Sequence, residues 1–289
     1  MIGALLREAR PTQWTKNVLV FAAPAALGVL GEAAPFGRSV AIFVAFCLVS
    51  SGTYYWNDIR DVAQDRAHPQ KRHRPIAAGE VPLPVARVVG SLLLVAGPVT
   101  AWIVRPEAGG VLLLYAILTT GYSTRLKHIP LLDLAIVASG FVLRATAGAV
   151  GTRTAMSSWF ILCTTFGSFF IVTGKRYAEL RELGPEAALT RPSLKDYTEA
   201  FLRQVLLVSC TATLVTYCMW ALENAATSGE TIPFHSLSIV PMGLALLRYL
   251  MVLDGGGGGA PEEVFLKDRS LQLYGASWLA VYVLAVYAV

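Results

Sequence analysis

The sequence predicts an all-α polytopic membrane protein with a single domain, residues 1–289, that crosses the bilayer nine times. Hydrophobic residues make up 55% of the chain and charged residues only 15%, with a mean hydropathy of +0.55. This composition is more apolar than that of soluble domains. Nine apolar runs are each near the ~20 residues that a helix needs to cross a bilayer. They lie at residues 17–31, 39–56, 82–104, 109–123, 131–150, 156–174, 203–222, 234–253 and 271–288.

The segments around the first runs are typical of a membrane boundary. Residues 1–16 are basic and amphipathic, and Trp14 is placed for the interface between membrane and water. Pro24 and Pro98 fall inside apolar runs, where neighbouring helices tolerate kinks. The first run has no signal-peptide cleavage pattern, so it is predicted to remain as a membrane helix.

Two later loops are longer and more polar. Residues 175–201 are predicted to form a charged, partly helical loop. Residues 254–263 are rich in glycine and lack the P-loop pattern, so a linker and a mobile flap both remain open. The cysteines have no disulfide or metal spacing and are predicted to be packing residues. They are Cys47, Cys163, Cys210 and Cys218.

The distribution of cations predicts the orientation. The net charge is +5, but the cations are confined to alternate loops, which indicates membrane topology and not nucleic-acid binding. Eighteen lie in one set of loops: Arg7, Arg10, Lys16, Arg60, Arg66, Lys71, Arg72, Arg74, Arg125, Lys127, Lys175, Arg176, Arg181, Arg191, Lys195, Arg203, Lys267 and Arg269. Only three lie in the opposite set: Arg38, Arg105 and Arg153. The N-terminus is therefore predicted to be cytoplasmic and the C-terminus outside, in the plasma (inner) membrane.

Residues 57–75 combine acids and bases on the predicted cytoplasmic side. If the preceding helix continues, Asp58, Asp61 and Asp65 share one face. Carboxylate oxygens suit Mg²⁺, which usually also binds substrate phosphates. Lys71 and Arg74 follow and would neutralise phosphate oxygens. A cytoplasmic loop whose acids merely pair with its bases is the alternative, although a topology signal does not require three aspartates at helical spacing.

A second polar cluster runs from Tyr122 to Asp133 and includes Lys127. Arg144 follows Asp133 by eleven residues, close to three helical turns, so both side chains are predicted to point the same way. They are about 16 Å apart along the axis, too far to pair. Ligand contact is favoured for Lys127 and Asp133, and for Arg144 it is weighed equally against a structural role.

The two polar clusters resemble the motifs of a known protein family. The motif Asn57-Asp58-x-x-Asp61-x-x-x-Asp65, followed by Arg74-Pro75-Ile76, resembles the first aspartate-rich motif of the UbiA superfamily of intramembrane prenyltransferases. The Tyr122–Asp133 cluster resembles the second motif, and the likeness extends over essentially the whole chain. Five further segments resemble the branch that builds actinobacterial cell-wall arabinan. They are residues 10–17, 68–72, 141–148, 174–176 with Glu179, and 260–265 with Asp268 and Arg269.

The resemblance implies a UbiA-type bundle with a cytoplasmic active site. The implied reaction transfers 5-phosphoribosyl from phosphoribosyl diphosphate (PRPP) to decaprenyl phosphate or another polyprenyl phosphate, with Mg²⁺ as cofactor. Membrane lipids are expected partners, and a homo-oligomer is left open. The implied metal ligands are Asn57, Asp58, Asp61 and Asp65, with Lys127 and Asp133 completing the catalytic set. The implied substrate-binding residues are Gln13, Lys16, Asn57, Lys71, Arg74, Tyr122, Arg144, Lys175 and Arg176.

Two other functions remain open. A UbiA-type prenyltransferase would move a prenyl group from its diphosphate to an aromatic or glycerol-phosphate acceptor. Such enzymes often have a second aspartate four residues after the first in their second motif, and Val137 stands there after Asp133. This departure favours a small soluble diphosphate donor. A transporter is disfavoured because the acids lie at one membrane face and no inverted repeat is visible.

Overall fold

The computed structural model describes residues 1–184, 192–228, 232–259 and 261–287, and these residues form helices joined by short loops. No strand occurs among them. The α-helices are α1 Ile2–Glu8, α2 Ala22–Ala26, α3 Ala33–Arg60, α4 Val62–Ala67, α5 Leu83–Val104, α6 Pro106–Thr124, α7 Leu132–Thr152, α8 Ser158–Leu183, α9 Glu199–Ser228, α10 Phe234–Leu237, α11 Ile239–Asp254, α12 Pro261–Lys267 and α13 Arg269–Tyr287. The all-α prediction is therefore confirmed.

Six helical segments in the described chain are long and apolar enough to cross a membrane. They are Ala33–Arg60, Leu83–Val104, Leu132–Thr152, Glu199–Ser228, Phe234–Asp254 and Arg269–Tyr287. The run at 109–123 lies within α6, and the run at 156–174 overlaps α8 from Ser158 onward, but neither helix is among these six. Nine crossings thus stays a prediction.

The first apolar run is less regular than predicted. Residues 17–31 pass from a 3₁₀ helix, Pro11–Phe21, through α2 to a second 3₁₀ turn, Val29–Gly31. Pro24 cannot donate a backbone hydrogen bond, and Gly28 has a φ of 72°, which ends the helix in a left-handed conformation. The run is therefore not one regular α-helix, and its crossing of the membrane stays a prediction.

The long helices expose apolar side chains on their outer surface. On α5, Val88, Leu92 and Val95 are exposed along one face, and Ile103 is 80% exposed. An apolar face of this size would be costly in water and suits the hydrocarbon interior of a bilayer. The protein is an integral membrane protein.

The described chain divides into two compact units, and a single domain over the whole chain stays a prediction. Unit 1 comprises Met1–Thr124 and Leu143–Ala155, and unit 2 comprises Arg125–Val142 with the described chain from Met156 onward. In unit 1, Gly148 lies so close to the backbone of Val20 that a Cβ would be 1.8 Å from the Val20 oxygen. Only glycine fits this approach.

The core of unit 2 combines α8, α9 and α11. Its largest buried side chains include Phe170, Tyr177, Leu202, Leu206 and Tyr249. The predicted loop 175–201 is partly helical, since α8 extends to Leu183 and residues Pro192–Asp196 form a 3₁₀ turn. Residues 185–191 lie outside the described chain. All four cysteines are free thiols, as the sequence predicts.

Candidate active site

The end of α3 positions the first acidic motif. Helix α3 ends at Arg60, and α4 begins at Val62 after an interruption at Asp61. The Asp61 amide still donates to the Asn57 carbonyl at 2.9 Å, and the Asp65 amide donates to the Asp61 carbonyl at 2.8 Å. These bonds keep the helical spacing across the interruption, so Asn57, Asp61 and Asp65 follow one another at successive turns.

Asp58 and Asp65 are held together by one arginine. Arg74 Nη1 donates to Asp58 Oδ1 at 3.1 Å and to Asp65 Oδ2 at 2.7 Å. The other Asp58 oxygen pairs with the guanidinium of Arg10. Asp58 is only 2% exposed, so two cations neutralise a buried carboxylate. Arg74, predicted to bind phosphate, is an ion-pair partner in this arrangement.

Asn57 and Asp61 form the more accessible half of the motif. Asn57 Nδ2 lies 3.3 Å from Asp61 Oδ2 and 3.5 Å from Asp58 Oδ1. Both side chains are partly exposed. Among the described residues, no group of three or more His, Cys, Asp or Glu side chains is arranged to hold a metal ion by itself. A metal here would therefore also need the Asn57 amide oxygen and oxygens of a substrate.

Glu8 is a neighbour of Asp58 that the sequence reading missed. It is 1% exposed, its Oε2 accepts a 3.3 Å hydrogen bond from the Ile76 amide, and its Oε1 has no hydrogen-bond partner within the described residues. Burial raises the pKa of Glu8 to about 8, and interaction with the neighbouring Asp58 carboxylate adds to the shift. With this pKa the carboxyl is largely protonated at neutral pH, so it adds little negative charge beside Asp58.

The N-terminal segment is fixed to α3 by hydrogen bonds. Tyr55 OH donates to the Leu5 carbonyl at 2.7 Å, and Ser51 Oγ donates to the Ala9 carbonyl at 2.9 Å. Arg10 has a φ of 53°, a left-handed conformation that is uncommon outside glycine, and its guanidinium lies 4.9 Å from the Tyr54 ring centroid. The only sequence signal for Arg10 is its place at the start of the 10–17 segment.

Gln13 and Lys16 lie together on the following 3₁₀ helix. Lys16 Nζ donates to Gln13 Oε1 at 2.6 Å, and both side chains are partly exposed. Lys71 is also partly exposed, in the short 3₁₀ turn Lys71–His73 after α4. These polar side chains are accessible to an anionic ligand in unit 1.

Arg144 is built into the interior of unit 1. Its Nε donates to Asn17 Oδ1 at 2.7 Å and its Nη2 to Tyr115 OH at 3.0 Å. The guanidinium carbon also lies 4.8 Å from the Tyr115 ring centroid and 5.4 Å from that of Phe46. These contacts favour a structural role for Arg144 over a role in binding a ligand.

Asp133 lies at the start of α7, in unit 2, and is fully buried. Its Oδ1 accepts from Tyr197 OH at 2.6 Å, and its Oδ2 accepts from Ser193 Oγ at 3.0 Å and from Arg176 Nε at 3.4 Å. Arg176 Nη1 also donates to Glu179 Oε2 at 3.2 Å. Burial and the bond to Asp133 raise the pKa of Tyr197. The carboxylate thus docks the 3₁₀ turn Pro192–Asp196 onto α7.

Three of the remaining predicted residues are less buried. Tyr122 lies near the end of α6, Lys127 in a short 3₁₀ turn and Lys175 in α8, and all three side chains are partly exposed. Arg176 pairs with Asp133 and Glu179, and its role in substrate binding stays a prediction. Sequence reasoning missed Ser193 and Tyr197, which had no signal beyond their place in a polar loop.

A membrane-embedded helical fold with an acidic motif at the end of α3 defines the class of protein. The chain belongs to the UbiA prenyltransferase family, whose sequence model matches residues 18–286. The fold is similar to a UbiA homolog from Archaeoglobus fulgidus bound to GPP and Mg²⁺. The TM-score is 0.71 at 18% identity, covering 98% of this chain and 99% of that one.

Curated relatives are similar over nearly their whole length. A decaprenyl-phosphate phosphoribosyltransferase from Mycolicibacterium smegmatis is 40% identical, with 99% of this chain and 93% of that protein covered. The enzyme of the same name from Mycobacterium tuberculosis is 41% identical, with 97% and 93% covered.

Proposed function

We propose that this protein transfers 5-phosphoribosyl from PRPP to decaprenyl phosphate and releases diphosphate, as a decaprenyl-phosphate phosphoribosyltransferase of cell-wall arabinan precursor synthesis. The observation that carries the proposal is the 40% identity to the enzyme from M. smegmatis over 99% of this chain. In the reaction, an acceptor phosphate oxygen forms a bond to the ribose C1. The bond between C1 and the diphosphate breaks, and diphosphate leaves with the electron pair.

We further propose Mg²⁺ as the cofactor. The Mg²⁺ in the A. fulgidus homolog supports this choice, as does the hard-oxygen character of the donors here. Asn57, Asp61 and Asp65 would hold the ion, whereas both Asp58 oxygens are already engaged by Arg10 and Arg74. A bound Mg²⁺ would neutralise charge that develops on the leaving diphosphate.

The chain's own part in the reaction is mainly positioning. The acceptor phosphate is already anionic, so no strong general base is required. Holding donor and acceptor in line accounts for several kcal/mol of barrier. Lys71 is our candidate for the donor phosphates, and Gln13 with Lys16 for the acceptor phosphate. Tyr122, Lys127 and Lys175 remain candidates for phosphate contacts.

The proposed reaction is tested directly with purified protein in detergent. Incubation with Mg²⁺, PRPP and decaprenyl phosphate should yield decaprenylphosphoryl-5-phosphoribose and diphosphate, detected by mass spectrometry. A parallel incubation with geranyl diphosphate and aromatic or glycerol-phosphate acceptors should give no prenylated product. Prenyl transfer in place of phosphoribosyl transfer would replace the proposal with the ordinary activity of the family.

Lys71→Ala should raise the KM for PRPP roughly tenfold or more, the range expected for one lost hydrogen bond to a charged group. The KM for decaprenyl phosphate should change much less, because we assign Lys71 to the donor. Lys267→Ala is the matched control, since Lys267 is an exposed lysine paired with Glu263 on α12. An effect confined to the lipid substrate would mean that Lys71 serves the acceptor.

We propose that the chain crosses the plasma membrane nine times, with the acidic motif facing the cytoplasm, the N-terminus inside and the C-terminus outside. The cation distribution supports this orientation. Two exposed positions test it in a cysteine-free background, Gln70 after α4 and Ser228 at the end of α9. In intact cells, an impermeant thiol reagent should label Ser228→Cys and spare Gln70→Cys.

Permeabilising the cells is the internal control, because it should expose Gln70→Cys to the same reagent. Labelling of Gln70→Cys in intact cells would reverse the orientation. It would also separate the acidic motif from cytoplasmic PRPP. Equal labelling of both positions in intact cells would mean that an even number of crossings separates them.

A further inference from the structure

Unit 2 contains a groove that the proposed reaction does not use. It is a cavity of about 300 Å³ between α9 and α11, closed at the back by Tyr177 of α8. Leu206 and Leu253 form a buried floor, each 1% exposed. Leu207, Leu247 and Met251 line the rim and are 50%, 57% and 66% exposed.

The position of the rim residues determines where the groove opens. Leu207 and Leu247 lie inside two of the apolar segments long enough to cross a membrane, so their exposed side chains face hydrocarbon. An apolar chain can therefore enter from the bilayer without crossing water. The groove suits one hydrocarbon chain.

One end of the groove is polar and carries both signs of charge. Arg203 Nη2 donates to Tyr177 OH at 3.3 Å and lies 3.5 Å from Asp254 Oδ1. Within the described residues, Nε and Nη1 of Arg203 have no partner, and the Arg203 side chain is 58% exposed. Asp254 is 71% exposed, and its only side-chain partner in the described chain is Arg203. The pair thus presents free donors and free acceptor positions side by side.

Positive and negative side chains are equal in number at the polar end of the groove. Arg181 Nη1 is committed to the carbonyls of Leu253 and Asp254 and to Tyr177 OH. Glu199 precedes Arg203 by one turn of α9, on the same face. Two arginines therefore stand against two acids, Asp254 and Glu199. A ligand with only negative charge, such as a polyprenyl phosphate, would be attracted by Arg203 and repelled by both carboxylates.

We propose that this groove binds a phospholipid with an ethanolamine headgroup, its phosphate at Arg203, its ammonium at Asp254 and one acyl chain on the leucine floor. A guanidinium donates to phosphate oxygens, and an ammonium donates N–H bonds to a carboxylate. A choline headgroup has no N–H donor, and a glycerol headgroup has no positive charge. The arrangement therefore favours phosphatidylethanolamine over phosphatidylcholine and phosphatidylglycerol.

The test uses full-length protein in nanodiscs of equimolar phosphatidylethanolamine and phosphatidylglycerol. Native mass spectrometry counts the lipids that remain on the released protein. The unaltered protein should retain the ethanolamine lipid over the glycerol lipid by about fivefold, the upper end for one exposed ion pair. Asp254→Asn should bring the ratio close to one, and Arg203→Gln should reduce the retention of both lipids.

Three further variants separate headgroup recognition from general effects. Glu263→Gln and Lys267→Gln remove the same charges from an exposed ion pair on α12 and should leave the ratio unchanged. Leu247→Trp fills the rim and should reduce retention of both lipids with the headgroup charges intact. A thermal unfolding curve for each variant confirms that it is folded.

Three outcomes would overturn the assignment. The first is equal retention of the two lipids by the unaltered protein. The second is a ratio that Asp254→Asn does not change. The third is a different occupant of the groove, shown either by displacement of the ethanolamine lipid with added decaprenyl phosphate or by a dimer that Leu247→Trp abolishes.

Discussion

Asp61→Asn is expected to lower turnover about 10³-fold, the scale of the several kcal/mol that a catalytic metal supplies, without lowering the thermal unfolding temperature. Asp61 is partly exposed, and within the described residues its side chain bonds only Asn57. Replacing the carboxylate by an amide therefore removes a charged metal ligand at little cost to the fold. Product formation by mass spectrometry, Mg²⁺ binding by calorimetry and unfolding by fluorimetry measure the three quantities.

Asp58→Asn is the matched comparison, since it removes the same charge three residues earlier. Asp58 is buried between Arg10 and Arg74, so its amide variant should unfold at a lower temperature and largely retain Mg²⁺ affinity. Wild-type turnover by Asp61→Asn at saturating Mg²⁺ would remove Asp61 from the metal site. Equal loss of Mg²⁺ affinity in both variants would make Asp58 a ligand, as the sequence reading expected.

Asp133→Ala should destabilise the protein by about 3 kcal/mol, the cost of breaking a buried ion pair by removing one partner. Arg176 would keep only Glu179, and the hydroxyls of Ser193 and Tyr197 would lose their acceptor. A fall of roughly 10 °C in the unfolding temperature is the corresponding signal. Mg²⁺ affinity should stay close to that of the unaltered protein.

Glu179→Gln is the control for this second prediction, because it removes a carboxylate from the other side of Arg176. Glu179 is more exposed, so its loss should cost much less. An Asp133→Ala protein with normal stability and lost Mg²⁺ binding would make Asp133 a metal ligand and not a docking residue.

The sequence predicted the helices because their signal is local. Apolar runs of membrane length need no knowledge of tertiary contacts, and within the described residues all but the first coincide largely with long helical segments. The spacing of Asn57, Asp61 and Asp65 was readable for the same reason, since backbone bonds carry it across the interruption at Asp61. The irregular shape of the first run was not predicted, because hydropathy does not register the backbone constraints that Pro24 and Gly28 impose.

The partners of the charged side chains could not be read in this way. Arg10 reaches Asp58 across 48 positions, and Arg176 reaches Asp133 across 43. No periodicity links residues so far apart, and Glu8 is hidden in a short N-terminal helix. Arg74 was predicted to bind phosphate from its charge and position, and Arg176 was a substrate-binding residue implied by the family resemblance, but neither signal indicates the internal carboxylates with which both arginines pair.

The shared nitrogen of Arg74 has a thermodynamic consequence. Because one guanidinium nitrogen serves both Asp58 and Asp65, a divalent cation arriving at Asp65 competes with Arg74 there, while Arg10 continues to neutralise Asp58. The displaced guanidinium then becomes free for an incoming anion. Cation and anion would thus each increase the affinity for the other, by the same factor in both directions. The protein would exchange an internal counter-ion for an external one and keep its buried charge balanced throughout.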